Sequence, residues 1–144
     1  MHHNQNGFTL VESLIVLSIF LIISSITVFS IKPQYQLATN KSFISQLKAD
    51  LYYGQQYAIA NQTEVRVIFI ENEHSYIIAA GANSIVERKH SPMITVGQGT
   101  IQLYFKYNSN GNVDRFGTIF IRTPLQDYKL TLLIGKGRFY VLEE

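Results

Sequence analysis

The chain has 144 residues, 47% hydrophobic and only 15% charged, so it holds one small globular domain plus an anchor and leaves no room for a large enzyme. Lys and Arg number 12 against 10 Asp and Glu, and a formal net charge of +2 is too weak for nucleic-acid binding by bulk electrostatics; any such contact would be local. With no cysteine, disulfides, thiolate metal sites, cysteine nucleophiles and lipidated cysteines are all excluded.

A dense apolar run fills Phe8 to Ile31, FTLVESLIVLSIFLIISSITVFSI, and its only charge is Glu12. As a helix these residues would reach roughly 36 Å, enough to cross a hydrocarbon core of about 30 Å, so a transmembrane helix over 8–31 is expected. A secretory signal peptide is the competing reading. It normally has a shorter apolar part after a basic stretch, and here no Lys or Arg precedes the run; a cut near Ser24-Ser25 would be its mark. Glu12 needs a reason, because an acid inside an apolar helix costs roughly 2.5–3.5 kcal/mol. Either it works through its charge, or it lies near the surface, a turn from the start of the run, and reaches water. Ser13, Ser18, Ser24 and Ser25 dot the run and would let helices approach closely, or are tolerated in a single span.

Gly7-Phe8-Thr9-Leu10-Val11-Glu12, followed at once by the apolar run, resembles the processing signal of type IV pilins and pseudopilins. In that family a short hydrophilic leader ends in glycine, phenylalanine usually follows, and a glutamate is fifth in the mature chain. The resemblance implies a leader over 1–7, prepilin-peptidase cleavage between Gly7 and Phe8, and N-methylation of Phe8. It also implies that the Glu12 carboxylate pairs with the N-terminal ammonium of a neighbouring subunit as helices stack in a filament. Two features depart from the pattern: the leader has no Lys or Arg, whereas Lys32 and Lys41 follow the run, and Phe29 stands where many major pilins have proline, with Pro33 slightly later.

Beyond Pro33, Leu37, Ile44, Leu47, Leu51 and Ala58 recur on one helical face, with Lys41, Ser45, Lys48, Gln55 and Gln56 elsewhere, which predicts an amphipathic helix over 32–61 that stops at Asn61. Gly54 falls on the apolar face, where it would permit close approach to a sheet or would simply weaken the helix. From 62 to 144 the texture is that of an antiparallel sheet, with strands predicted at Val65–Ile70, Tyr76–Ala79, Ile85–Lys89, Ile101–Tyr107, Thr118–Arg122, Tyr128–Ile134 and Arg138–Leu142. Alternation of Ile101, Leu103, Phe105 and Tyr107, and of Leu130, Leu132 and Ile134, marks half-buried strands. Gly135-Lys136-Gly137 predicts a tight hairpin and Gly97-Gln98-Gly99 a turn. The order of these segments, from Phe43-Ile44-Ser45-Gln46-Leu47 to Gly137-Arg138, is similar to minor pseudopilins of the GspH/FimT type and of the Gram-positive competence ComGD type.

No phosphate loop occurs, and no catalytic residue, metal ligand or cofactor is expected. His74 and His90 stand apart from recognisable partners, and Asp114 and Asp127 read as solvated turn residues because the dense oxygen spacing of calcium loops is missing. Arg88-Lys89-His90, with Lys136 and Arg138, could form a basic patch touching DNA phosphate, or could be solvated charge; Arg88 and Lys89 are the nucleic-acid candidates.

The expected fold class is therefore α+β and pilin-like: a long N-terminal helix, its first half transmembrane, packed on a small antiparallel sheet outside the cell. The resemblance implies a minor pseudopilin of a competence pilus that serves DNA uptake. The other readings are a type II secretion minor pseudopilin, a DNA-binding tip subunit, and an anchored extracellular domain that never polymerises. Implied partners are other major and minor pseudopilins, the prepilin peptidase, the pilus assembly platform and the membrane.

Overall fold

A computed structural model describes residues 9–135 and 137–144, with side chains at 27–40 outside the described set. The elements run in order α1 (Leu10–Ala60), β1 (Val65–Ile70), a 3-10 turn (Glu71–Glu73), β2 (Ser75–Ala80), β3 (Asn83–Lys89), β4 (Thr95–Gln98), β5 (Tyr104–Tyr107), β6 (Gly117–Arg122), β7 (Asp127–Leu132) and β8 (Phe139–Glu143). The described residues form two compact units, divided between Gln36 and Leu37. The leader 1–7, Phe8 and Lys136 lie outside the described residues, as do the side chains of Phe29 and Pro33.

In the first unit every large apolar side chain from Leu10 to Ile26 is exposed, by 52–77%. The serines do not interrupt this surface. The Ser13 and Ser18 hydroxyls donate to the carbonyls of Thr9 and Leu14, four residues back, at 3.3 and 2.8 Å. Bonded to their own helix, they need no outside partner. Among the described residues no helix is long and apolar enough to cross a membrane; the described apolar part ends at Ile26, short of the Ile31 expected for the span.

In the second unit two four-stranded antiparallel sheets, ordered β3-β2-β1-β5 and β4-β6-β7-β8, share a core with the second half of α1. Ile44, Leu47, Leu51 and Ala58 are buried, as the helical spacing predicts, against Val65, Val67, Ile78, Phe105, Ile119 and Leu130. β1, β5 and β7 bury alternate residues, so one face of each sheet is covered and the other is wetter, whereas edge strand β3 buries none. Of the two readings of Gly54, close approach to a sheet is the one the structure bears out. A Cβ there would stand 2.9 Å from Ile78 Cγ2 and 3.6 Å from Val65 Cγ1, so the helix lies against β1 and β2 at a distance only glycine allows.

The structure corrects four local readings. One sheet was expected, and there are two. The segment 101–107 was read as a single strand, but only Tyr104–Tyr107 pairs; the Ile101 N–H donates to the Thr118 carbonyl in the second sheet at 3.4 Å, and the Leu103 carbonyl accepts from Phe69 in the first at 2.9 Å. These residues carry the chain from one sheet to the other, and side-chain alternation does not report that. Gly97-Gln98, read as turn, belongs to β4, which pairs with β6. Ile134 was read as buried, yet it is 69% exposed, because β7 ends at Leu132 where the chain turns toward Gly135 at φ 81°. The Gly135–Gly137 hairpin itself is present, closed by the Leu133 N–H to the Arg138 carbonyl at 2.8 Å.

Candidate assembly and binding sites

At the start of α1 the Thr9 carbonyl accepts the Ser13 N–H at 3.1 Å and the Thr9 hydroxyl oxygen accepts the Glu12 N–H at 3.3 Å. Thr9 is thus the cap, and Glu12 is the third helical residue, the Thr-x-x-Glu pattern of a capping box. An acid in the first turn also meets the positive end of the helix dipole. This local reason for Glu12 is legible in the Thr9-x-x-Glu12 spacing, although the hydrophobic run around it masks the signal. The capping bond uses only the Glu12 N–H, so the carboxylate is exposed and able to take a partner. Gly7 and Phe8, the expected processing residues, lie outside the described residues.

In the second unit the polar centre is Asp50, on the buried face of α1 with its side chain 8% exposed. It accepts the Tyr76 hydroxyl at 2.7 Å, the Gln46 amide at 2.9 Å and Arg88 Nε at 3.2 Å. Burial pushes the Tyr76 phenol well above the ordinary tyrosine range, and the hydrogen bond to Asp50 and that carboxylate's charge push it further, so it remains a donor. Arg88, expected as a nucleic-acid contact, is therefore tied through one nitrogen to a buried carboxylate while its side chain stays 51% exposed. Lys89 follows it, exposed, at the end of edge strand β3. Arg138, the other described member of the expected basic patch, immediately precedes β8, an edge strand of the second sheet.

Beside Arg88 the His90 ring lies 5.1 Å from the Phe43 ring and 5.9 Å from that of His74. Its Nδ1 lies 3.1 Å from the Ser91 carbonyl, which only a protonated nitrogen can approach as a donor. Burial lowers the His90 pKa below the usual imidazole value, the Ser91 carbonyl opposes this, and His74 adds to it. A lowered folded-state value means that the unfolded chain binds the proton more readily. This share of stability is complete above the unfolded pKa of about 6.5 and is lost as pH falls through the folded value. The His90 ring proton resonance should accordingly titrate with a midpoint below 6.5, and His90→Gln should flatten that part of the dependence of Tm on pH. A midpoint at or above 6.5 would contradict the burial.

Asp114 and Asp127 have structural duties. Asp114 Oδ1 accepts the Lys106 N–H at 2.8 Å, and Asp127 opens β7, its carbonyl accepting the Glu144 N–H at 2.9 Å. Among the described residues no group of three or more histidines and carboxylates is placed to hold a metal ion. Gln55, expected on the solvent side of the helix, is instead buried and donates to the Gly111 carbonyl at 2.9 Å.

A helix that begins in an exposed apolar stretch and whose later turns cover antiparallel sheets is the architecture of the pilin-type subunits. Solved structures agree: the type IV minor pilin FimU of Pseudomonas aeruginosa (strain PAO1) superposes with a TM-score of 0.61 at 14% identity, over 71% of this chain and 87% of that one. The minor pseudopilin EpsH of the Vibrio cholerae type 2 secretion system does so at 0.55 and 14% identity, over 73% and 97%. At such identities the likeness is one of fold.

In sequence, residues 2–28 match the family described as the prokaryotic N-terminal methylation motif, a stretch that includes Gly7, Phe8 and Glu12. Over 139 residues the chain is 28% identical to the competence protein ComGD of Bacillus subtilis (strain 168), covering 96% of this chain and 94% of that protein. The chain is thus ComGD-like in sequence and pilin-like in fold.

Proposed function

We propose that the protein is a minor pseudopilin of a competence pilus, whose work is assembly rather than catalysis and which serves DNA uptake across the cell envelope. The observation that carries this is the end-to-end match to ComGD combined with the methylation motif. In this reading the prepilin peptidase cuts between Gly7 and Phe8 and methylates Phe8. Before assembly the segment 8–31 is a single membrane span with the C-terminal unit outside. The exposed apolar side chains of Leu10–Ile26 support that view, since an uncovered surface of this kind needs lipid or neighbouring helices. On assembly with other pseudopilins through the membrane platform, Glu12 pairs with the terminal ammonium of a neighbour.

N-terminal mass spectrometry of the membrane-extracted protein, with and without a working prepilin peptidase, tests the first step. A chain beginning at N-methylated Phe8 only when the peptidase is present is expected, and an uncut Met1 or a cut near Ser25 would overturn the proposal. Glu12→Leu and Glu12→Ala should be processed normally yet abolish filament formation; normal filaments would remove Glu12 from the mechanism. The likeness to EpsH supports a second reading, a minor pseudopilin of type II secretion. Deleting the gene separates the two, since loss of transformation marks the first and loss of an exported protein the second.

A further inference from the structure

An open cleft of about 440 Å³ lies between the second half of α1 and the end of β3, and Ser42, Phe43, Gln46, Arg88, His90 and Ser91 line it. Three features make it more than a surface dent. Asp50 engages Arg88 only through Nε, so a buried carboxylate fixes the guanidinium while both Nη groups have no partner among the described residues. That end of the group is the fork which grips oxyanions in two places. The Ser91 hydroxyl oxygen already accepts the Met93 N–H at 3.2 Å, so its own proton is available to donate. Finally, Phe43 and His90, 5.1 Å apart, give the cleft an aromatic wall, and its volume exceeds the need of a bare anion and suits a small organic ligand.

We propose that this cleft binds a nucleotide unit, its phosphoryl group held by the outer end of Arg88 with the Ser42 and Ser91 hydroxyls, and its heterocycle laid against Phe43. A phosphoryl group uses three oxygens where a carboxylate has two, which matches a fork plus hydroxyls. A flat heterocycle gains from the aromatic wall what an aliphatic acid would not. A free nucleotide carries that three-oxygen phosphomonoester, and one unit of a nucleic-acid strand carries the same kind of heterocycle on a phosphodiester whose two unbridged oxygens still meet the fork. The site goes beyond the proposed function and does not depend on filament assembly or on the secretion system served.

The test uses the full chain, isotope-labelled in detergent micelles, titrated separately with AMP, inorganic phosphate and a short oligothymidylate. AMP or the oligonucleotide should shift the Phe43 and His90 ring resonances and the Arg88 Nε–H in a saturable way, whereas phosphate should move Arg88 alone and more weakly. Phe43→Leu should weaken nucleotide binding by about tenfold and leave phosphate unchanged, as loss of a stacking partner requires. Arg88→Gln should weaken both, and should it fail to fold, Phe43→Leu decides alone. Tighter binding of AMP identifies the free nucleotide as ligand, and tighter binding of the oligonucleotide identifies a strand. Either supports the site. Absence of saturable shifts at Phe43 and His90, or equal weakening by Lys48→Gln as by Phe43→Leu, would overturn it, the latter because diffuse charge would then explain the binding.

Discussion

Gly137→Ala is expected to lower stability by about 3 kcal/mol, combining the left-handed backbone cost with forced overlap. Gly137 sits at φ 56°, and a Cβ there would lie 2.0 Å from the Gly111 carbonyl oxygen and 2.4 Å from Gln55 Nε2. Those two atoms make the buried 2.9 Å hydrogen bond that ties α1 to the loop before β6, so the β7–β8 hairpin is seated directly on that bond. Neither atom can yield without breaking it. Gly111 is held the same way, at φ 77° with Ile59 Cδ1 2.6 Å from where its Cβ would be. Gly135 supplies the control, since it also has a positive φ, of 81°, but open space around its Cβ. Gly135→Ala should therefore cost only about 1 kcal/mol, the left-handed share alone. Urea unfolding of both variants in detergent, followed by the near-ultraviolet tyrosine signal, measures the difference; equal losses would show that the hairpin tip is not packed on the helix.

The second large effect concerns Asp50. Asp50→Ala should cost about 3 kcal/mol, chiefly because the Tyr76 hydroxyl, in a residue with no solvent exposure, loses its acceptor and a cavity opens beside Gln46. The ion pair with Arg88 contributes a smaller share, since that side chain is half in solvent and its attraction is screened. Tyr76→Phe removes donor and demand together, and should cost about 1 kcal/mol. A double-mutant cycle between the two positions should then show clear coupling, since the cost of Asp50→Ala falls once no hydroxyl is left unpaired. Strict additivity would place the Asp50 contribution elsewhere. Near-ultraviolet spectra should also show no phenolate from Tyr76 in the folded protein across the pH range in which exposed tyrosines ionise, given the upward push from burial and from Asp50.

Much of this molecule follows from local pattern. The Ile44, Leu47, Leu51 and Ala58 spacing marks the buried helix face because a helix repeats every 3.6 residues, and β1 reads at its full length because Val65, Val67 and Phe69 alternate with half-exposed neighbours. The motif from Gly7 to Glu12 is equally local, and residue type with spacing sufficed to find it. Even the Thr9 cap was readable there.

What depended on distant partners was not. Asp50 and Gln55 look like solvent-side polar residues on a helix, yet each is buried because a group far along the chain, Tyr76 or the Gly111 carbonyl, arrives to bond it. The division into two sheets, the pairing of β4 with β6 and the crossing at Ile101–Leu103 are set by long-range backbone hydrogen bonds, which leave no periodic trace in the chain. Arg88 shows the contrast most directly: the sequence determined that a cation stands one residue before the end of β3, and only the tertiary structure decided that its Nε is spent on a buried carboxylate while its outer end faces a cleft, because that carboxylate comes from a helix turn 38 residues earlier.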